Sequence, residues 1–139
     1  MPMIRGQLEA GHTVRFKPRG VSMLPMLRQD IDSVVLSPLP EKLRKYDLPL
    51  YQRDDGKYVL HRIVAVGETY TCVGDNQFDP EHGIRRDQMI GLVEAYYRGE
   101  KSRSVSSPAY WIYVRARHYS RPIRRAWRSL RDRIKRSLR

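Results

Sequence analysis

Short apolar runs, separated by glycine, proline and acidic turn residues, divide the first hundred residues of this 139-residue chain. The longest run covers residues 58–66 and is rich in the β-branched residues that strands prefer. Asp54-Asp55-Gly56, just before it, is typical of a hairpin turn. No helical pattern of about 10–15 residues separates the runs, so a βαβ arrangement is disfavoured and a mainly β domain is predicted. The predicted strands cover residues 13–16, 33–36, 48–51, 58–66, 70–73 and 89–97.

The net charge of +12 is confined to the C-terminal part of the chain. Residues 1–100 hold 14 Lys and Arg and 14 Asp and Glu, whereas residues 101–139 hold 13 Lys and Arg and one acidic residue, Asp132. Residues 99–108 are polar and serine-rich and end in proline, which is typical of a linker. We therefore predict three parts: a neutral β domain (1–98), a linker (99–108) and a basic tail (109–139).

The tail carries an apolar stripe at helical spacing. We expect an amphipathic helix that starts at Pro122, with Ser120 as its cap and with aromatic residues from Tyr110 to Tyr119 leading up to it. The stripe consists of Ile123, Ala126, Trp127, Leu130, Ile134 and Leu138. The basic residues around it are Arg124, Arg125, Arg128, Arg131, Arg133, Lys135 and Arg136.

Four interpretations of the tail are open: a solvated basic helix, a nucleic-acid-binding segment, a membrane-surface helix, and a helix that packs back on the β domain. Arginines neutralise phosphates in nucleic acid, and aromatic side chains stack on bases. A continuous apolar stripe has no role on a phosphate backbone, whereas it would insert into a bilayer whose anionic headgroups attract the arginines. The sequence therefore favours an anionic membrane surface as the partner, with nucleic acid as the alternative.

Cysteine content and hydropathy indicate the cellular compartment of the protein. The single cysteine, Cys72, excludes an internal disulfide and lies in an apolar stretch, so we expect it in the core. No apolar leader region follows Met1, and no apolar run reaches the roughly 18 residues of a membrane span. We expect a cytoplasmic protein, peripheral at the inner face of the membrane, with no metal or cofactor.

Three polar residues are candidates for chemistry. Ser22 lies in Gly20-Val21-Ser22-Met23-Leu24-Pro25, where glycine and proline favour a bend. His61 shares a strand face with its apolar second neighbours, which alone is more typical of a packed core histidine, and only its pairing with Ser22 favours a catalytic role. A serine needs a base, and an imidazole with its ordinary pKa near 6.5 predicts activity that rises through about pH 6–7. The base in turn needs an orienting acceptor, and Asp75 lies in a turn where it would equally suit an Asx-turn.

These segments, in this order, resemble the boxes of type I signal peptidases and LexA-like serine peptidases. The resemblance covers residues 11–98. The matching segments are Gly20-Val21-Ser22-Met23-Leu24-Pro25, Asp47 with its apolar followers, Tyr58-Val59-Leu60-His61-Arg62-Ile63, Gly74-Asp75-Asn76 and Ile90-Gly91-Leu92-Val93. A histidine where many members have a lysine base is similar to the endoplasmic-reticulum and archaeal signal peptidases.

The resemblance implies a coiled β domain of short, mostly antiparallel strands and a serine endopeptidase that cleaves a leader, precursor or neighbouring polypeptide. It implies Ser22 as nucleophile, His61 as general base and Asp75 as the orienting acid. Asp79 is a candidate second acidic partner. The oxyanion would be bound by backbone groups around Gly20 and Ser22, chiefly the Ser22 N–H.

The chain also departs from the family pattern. Gly20 replaces the serine whose hydroxyl helps to bind the oxyanion in many members, Tyr46 replaces the usual glycine before Asp47, and Asp79 lies closer to Asp75 than in the eukaryotic pattern. Residues 1–21 contain no apolar run that would match the membrane-spanning helix that signal peptidases carry before the serine, so we expect no such helix there. The alternative is a catalytically inactive relative that acts as a binding module, with its basic tail on membrane or nucleic acid.

Overall fold

Two antiparallel sheets and a long C-terminal helix make up the computed structural model, which describes the backbone of residues 2–138. The prediction of a mainly β chain with a C-terminal helix is confirmed. The elements are α1 (Pro2–Glu9), β1 (Val14–Phe16), β2 (Ser33–Ser37), β3 (Pro49–Gln52), β4 (Tyr58–Leu60), β5 (Arg62–Val66), β6 (Tyr70–Val73), β7 (Glu81–Ile84), a 3₁₀ turn (Arg86–Gln88), β8 (Met89–Arg98), β9 (Lys101–Ser104) and α2 (Pro108–Ser137).

The larger sheet has the strand order β1-β2-β8-β3-β4, and β9 pairs with the far end of β8. The smaller sheet has the order β5-β6-β7. β8 organises the larger sheet because it pairs with β2, β3 and β9 along its length. One core cluster lies between this sheet and the two helices, and a second surrounds Tyr51, Ile63 and Cys72. Cys72 is buried in this second core, as expected.

The longest predicted strand, residues 58–66, is divided between the two sheets. β4 pairs with β3 in the larger sheet, whereas β5 pairs with β6 in the smaller one. The chain leaves β3 because Ile63 exchanges backbone hydrogen bonds with the segment before β3: its N–H donates to Asp47, and its carbonyl accepts from Tyr46. His61 therefore lies at the crossing between the sheets. It is buried, as are Val59 and Ile63, while Ala65 is exposed.

The prediction of a linker over residues 99–108 is wrong. A turn at Gly99, whose φ is 64°, brings β9 back along β8, where Arg103 pairs with Tyr96. Backbone pairing at a sheet edge does not require apolar side chains, so the polar composition concealed the strand.

The helices α1 and α2 also differ from expectation, since α1 was not predicted and α2 begins earlier than Pro122. Leu8 of α1 is buried in the larger core.

Helix α2 begins at Pro108, where the Ser107 side chain accepts a hydrogen bond from the Tyr110 N–H. The predicted start at Pro122 with a Ser120 cap is wrong, and Pro122 lies inside the helix. The inner half of α2 (residues 108–124) buries Tyr110 and Val114 in the larger core. This half packs back on the β domain because its aromatic side chains fill that core.

The outer half of α2 (residues 125–137) is exposed apart from a half-buried Asp132. Trp127, Leu130 and Ile134 keep 66%, 49% and 52% of their surface exposed. None of the helices described over residues 2–138 combines the length and the apolar character that crossing a membrane would require.

Candidate active site

Ser22 and His61 line the same cavity, of about 180 Å³. Ser22 lies in the loop between β1 and β2, and Gly20, with a φ of 92°, gives that loop a turn which other residues rarely adopt. His61 enters the cavity from the crossing between β4 and β5. Within residues 2–138 no hydrogen bond joins Ser22 and His61.

The Gly74-Asp75-Asn76 turn is built directly onto the Ser22 loop. The Asn76 N–H donates to the Ser22 carbonyl at 2.8 Å, and the Asn76 side-chain amide donates to the Val21 carbonyl at 3.1 Å. A Cβ atom at Gly74 would lie 2.6 Å from the Ser22 carbonyl oxygen, so only glycine fits there without moving the backbone. The turn therefore fixes the backbone of Ser22. In the described part of the chain the Ser22 N–H itself makes no backbone hydrogen bond.

His61 is neutral at physiological pH in this environment. Burial lowers its pKa to about 4; the Arg53 guanidinium acts in the same direction, and the charges of Glu81 and Asp75 oppose the shift. The ring nitrogen Nδ1 lies 3.4 Å from the Tyr51 hydroxyl and 3.6 Å from Glu81 Oε1. Since Nδ1 faces these groups, Nε2 is the nitrogen left for the cavity.

Asp75 pairs with Arg62 and not with His61. Arg62 Nε donates to Oδ1 at 2.8 Å and Nη2 donates to Oδ2 at 3.0 Å, while the Tyr113 hydroxyl donates to Oδ2 at 2.8 Å. Burial alone would raise the pKa of Asp75, but the charge and hydrogen bonds of Arg62 outweigh it and keep that pKa below its ordinary value. With these three donors on its carboxylate, Asp75 does not orient His61, and this expectation is corrected.

The remaining acidic candidates also lie apart from His61. Asp79 keeps 86% of its side chain exposed and pairs with Arg125 of α2 at 3.2 Å, so it is not a second partner of the base. Asp47 accepts a hydrogen bond from the Arg44 N–H at 2.8 Å, and its own carbonyl holds Ile63. Tyr46, just before Asp47, has a φ of 79°, a backbone conformation that favours glycine.

Three residues beside His61 were missed by the sequence reasoning: Tyr51, Arg53 and Glu81. Tyr51 pairs with Val59 across β3 and β4, which places it next to the His61 ring. Arg53 forms a two-point ion pair with Glu81, and this pair stands beside Nδ1 of His61. The hairpin signal at Asp54-Asp55-Gly56 would have brought Tyr51 and Arg53 near His61. The polar composition of residues 81–84 gave no sign that Glu81 begins a strand.

Ser22, on its glycine-shaped loop, and the buried, neutral His61 therefore line one cavity. Comparison of the chain with protein-family models, curated proteins and solved structures found no match.

Proposed function

We propose that this protein is a serine endopeptidase of the signal-peptidase-like superfamily, with the coiled β fold of that group, Ser22 as nucleophile and His61 as general base. The observation that carries the proposal is the shared cavity, which brings together a serine on a glycine-shaped loop and a neutral histidine with one ring nitrogen left for the cavity. A neutral imidazole can accept the serine proton at pH 7 without first losing one of its own.

The proposed reaction has two steps. Ser22 Oγ attacks the substrate carbonyl carbon as its proton passes to His61 Nε2; the C–N bond then breaks, and the proton leaves with the amine. In the second step water loses a proton to His61 and attacks the acyl carbon, and the ester C–O bond breaks as Ser22 regains a proton. The Ser22 N–H, which makes no backbone hydrogen bond within residues 2–138, would bind the oxyanion. Gly20 supplies no side-chain donor, and one donor fewer typically lowers kcat about 10²–10³-fold, so we expect a slow enzyme.

The substrate would be an extended segment of a leader, a precursor or a neighbouring polypeptide. β1 and β4 are the two end strands of the larger sheet, and the cavity is lined by the loop after β1 and by β4 together with His61. An end strand has unpaired backbone groups that an added peptide strand can bond. A peptide strand added to β1 or β4 would therefore lie beside the cavity.

The test is covalent labelling of Ser22 by a fluorophosphonate, which forms a bond between phosphorus and an activated serine oxygen. We expect mass spectrometry to find the label on Ser22 in the folded protein and not after denaturation. The labelling rate should follow the neutral fraction of His61, so it should rise through about pH 4 and be level by pH 6–7, lower than the ordinary imidazole pKa predicts. A folded protein that binds peptides but never labels at Ser22 would instead be the inactive binding module.

The outer half of α2 supports a second proposal, which concerns location: a cytoplasmic protein held at the inner face of the membrane, with an anionic bilayer surface as its partner. Its apolar stripe is exposed and not packed on the domain. Arg124, one of the basic residues predicted to face the membrane, instead contacts its own helix: its guanidinium donates to the Arg117 carbonyl and the Ser120 hydroxyl. Arg125 pairs with Asp79, and Arg128 lies over the Phe78 ring. The basic residues beyond them, Arg131, Arg133, Lys135 and Arg136, make no ion pair with an acidic side chain within residues 2–138.

Replacing Trp127, Leu130 and Ile134 together by serine is expected to weaken binding to anionic vesicles at least about tenfold. Each apolar side chain contributes about 1.5–3 kcal/mol when fully buried, and about 1.4 kcal/mol is a factor of ten, so partial insertion of three suffices. Vesicle co-sedimentation of the full chain measures this. Truncation at Ser107 would be unsuitable because it also removes Tyr110 and Val114 from the core.

The matched control for charge is the triple replacement of Lys17, Lys57 and Lys101 by glutamine, set against glutamine at Arg131, Arg133 and Arg136. Both variants lose three positive charges, but only the second should release the vesicles, and its binding should depend less on salt. Equal sedimentation of the serine variant and the wild type would contradict the proposal. Preference of the wild type for nucleic acid over anionic vesicles at equal salt would do so too.

A further inference from the structure

We propose that Glu81, acting together with Tyr51, is the acidic partner that positions His61. This inference rests on the proposed function, since it assigns the group that holds the general base. A histidine base needs an acceptor on its second nitrogen, which fixes the tautomer and the ring. Asp75, the acid that the sequence suggested, is fully buried against Arg62 and Tyr113 and does not serve.

The geometry around Nδ1 carries the inference. The Tyr51 hydroxyl lies 3.4 Å and Glu81 Oε1 lies 3.6 Å from this nitrogen. Tyr51 is fully buried, and its ring packs edge-on against the His61 ring at 6.3 Å between centroids. Glu81 is half-buried and is held in turn by Arg53, whose Nε donates to Oε2 at 3.1 Å. Two strands from different sheets, β3 and β7, thus meet at one side of the imidazole.

The carboxylate of Glu81 determines which group receives the single proton of the Tyr51 phenol, and through this the tautomer of His61. Burial raises the pKa of the Tyr51 phenol, which therefore keeps its one proton and can donate it either to Glu81 or to Nδ1 of His61. A donation to Nδ1 would leave the ring proton on Nε2, so that His61 could not accept a proton from Ser22. A donation to Glu81, an ionised acceptor, is the stronger bond and leaves the phenol oxygen to accept Nδ1–H. The charge of Glu81 therefore selects the tautomer whose Nε2 is free to act as a base.

The charges that act on His61, those of Glu81, Arg53 and Asp75, are compatible with Glu81 as its positioning residue. Burial would raise the pKa of Glu81, but the Arg53 hydrogen bond and charge outweigh it, so Glu81 stays ionised. Arg53 and Asp75 act on His61 in opposite directions. Cys72, on the β6 side, stays a neutral thiol because burial raises its pKa to about 12. The role of Glu81 is to fix the tautomer, since Arg53 opposes the effect of Glu81 on the His61 pKa.

The test is ¹⁵N NMR of protein labelled in its histidine rings, because the two nitrogen shifts report which one carries the proton. The His61 signals are assigned by their loss in His61→Gln. We expect the Nδ1–H tautomer in the wild type at pH 7 and a shift to mainly Nε2–H in Glu81→Gln. Glu81→Asp, which keeps the charge, should restore part of the wild-type tautomer. Glu68→Gln, the same chemical change at an exposed turn, should leave the signals unchanged.

Labelling kinetics separate this inference from the proposed function. In Glu81→Gln, fluorophosphonate labelling of Ser22 should slow at least tenfold, with partial recovery in Glu81→Asp, and near-ultraviolet circular dichroism should show an intact fold. An Nε2–H wild type, or a Glu81→Gln variant with unchanged tautomer and rate, would overturn the role of Glu81. A wild type that holds Nδ1–H through Glu81 but never labels at Ser22 would overturn the peptidase and leave the role of Glu81 standing.

Discussion

Ser22→Ala is expected to lower kcat for peptide cleavage by at least about 10⁴-fold, with little change in stability. Removal of the nucleophile alone from a serine hydrolase costs about as much as removal of the whole catalytic group, because the residues act as one unit. Ser22 is half-buried in its loop, and its side chain makes no hydrogen bond within residues 2–138, so its loss should not disturb the fold. The measurement is single-turnover cleavage of a peptide selected by the wild type, at pH 7.

His61→Gln should show a loss of the same order, and the double variant should be no worse than either single one. Ser102→Ala, in the exposed edge strand β9, is the matched control and should cleave at the wild-type rate. If Ser22→Ala and Ser102→Ala cleave equally fast, the proteolysis comes from another site or from a contaminant.

Arg62→Met is expected to lower the free energy of unfolding by about 3–5 kcal/mol, the largest stability effect that we foresee. Removing one partner of a buried ion pair leaves the other as an uncompensated charge, and Asp75 has no access to water. Arg62 also donates to the Tyr46 carbonyl at 2.9 Å and the Tyr110 hydroxyl at 2.8 Å, so its loss leaves two more polar groups unsatisfied. Urea denaturation followed by circular dichroism measures the change.

The control for this prediction is Arg85→Gln, which breaks two exposed ion pairs, with Asp54 and Asp87, and should leave the urea midpoint where it is. The double variant Arg62→Met, Asp75→Leu should recover part of the lost stability, because it removes the stranded charge. Arg62→Met with wild-type stability would mean that Asp75 finds water or a proton without the fold opening.

The sequence predicted those parts of the fold that depend on local apolar alternation. Five of the six predicted strands correspond to β1, β2, β3, β6 and β8, since each has side chains that a half-buried sheet requires. The polar strands β7 and β9 escaped prediction because each is held by backbone pairing with the strand before it, β6 or β8, and this pairing requires no apolar alternation. The early start of α2 escaped because its first turns are fixed by Tyr110 and Val114 in the core, which periodicity beyond Pro122 does not reveal.

In the site, too, the sequence indicated the residues whose local setting is recognisable but not the partners that the tertiary fold brings to them. Ser22 and His61 stood in recognisable local settings, and they line one cavity. The sequence indicated that Asp75 lies in a turn near the site. It did not indicate that the carboxylate faces Arg62. Adjacent side chains in a strand point to opposite faces, so Arg62 points away from the side that His61 faces. Asp75 lies on the Arg62 side, and it therefore pairs with Arg62 and not with His61. The partners that do face His61 come from β3 and β7, whose meeting is a property of the tertiary fold.

The contact between α2 and the Asp75 turn has a consequence for synthesis on the ribosome. Tyr113 and Arg117 supply donors to the Asp75 carboxylate and carbonyl, and Tyr110 closes the other side of Arg62. These residues are translated after every strand of both sheets, and the stretch from Ser104 to Arg124 takes about one to four seconds to make. During that interval the nascent chain has its strands and the Arg62–Asp75 ion pair, but not the hydrogen bonds that α2 adds to this pair. The contacts that hold the Asp75 turn, and through this turn the Ser22 loop, are therefore complete only after α2 has been made.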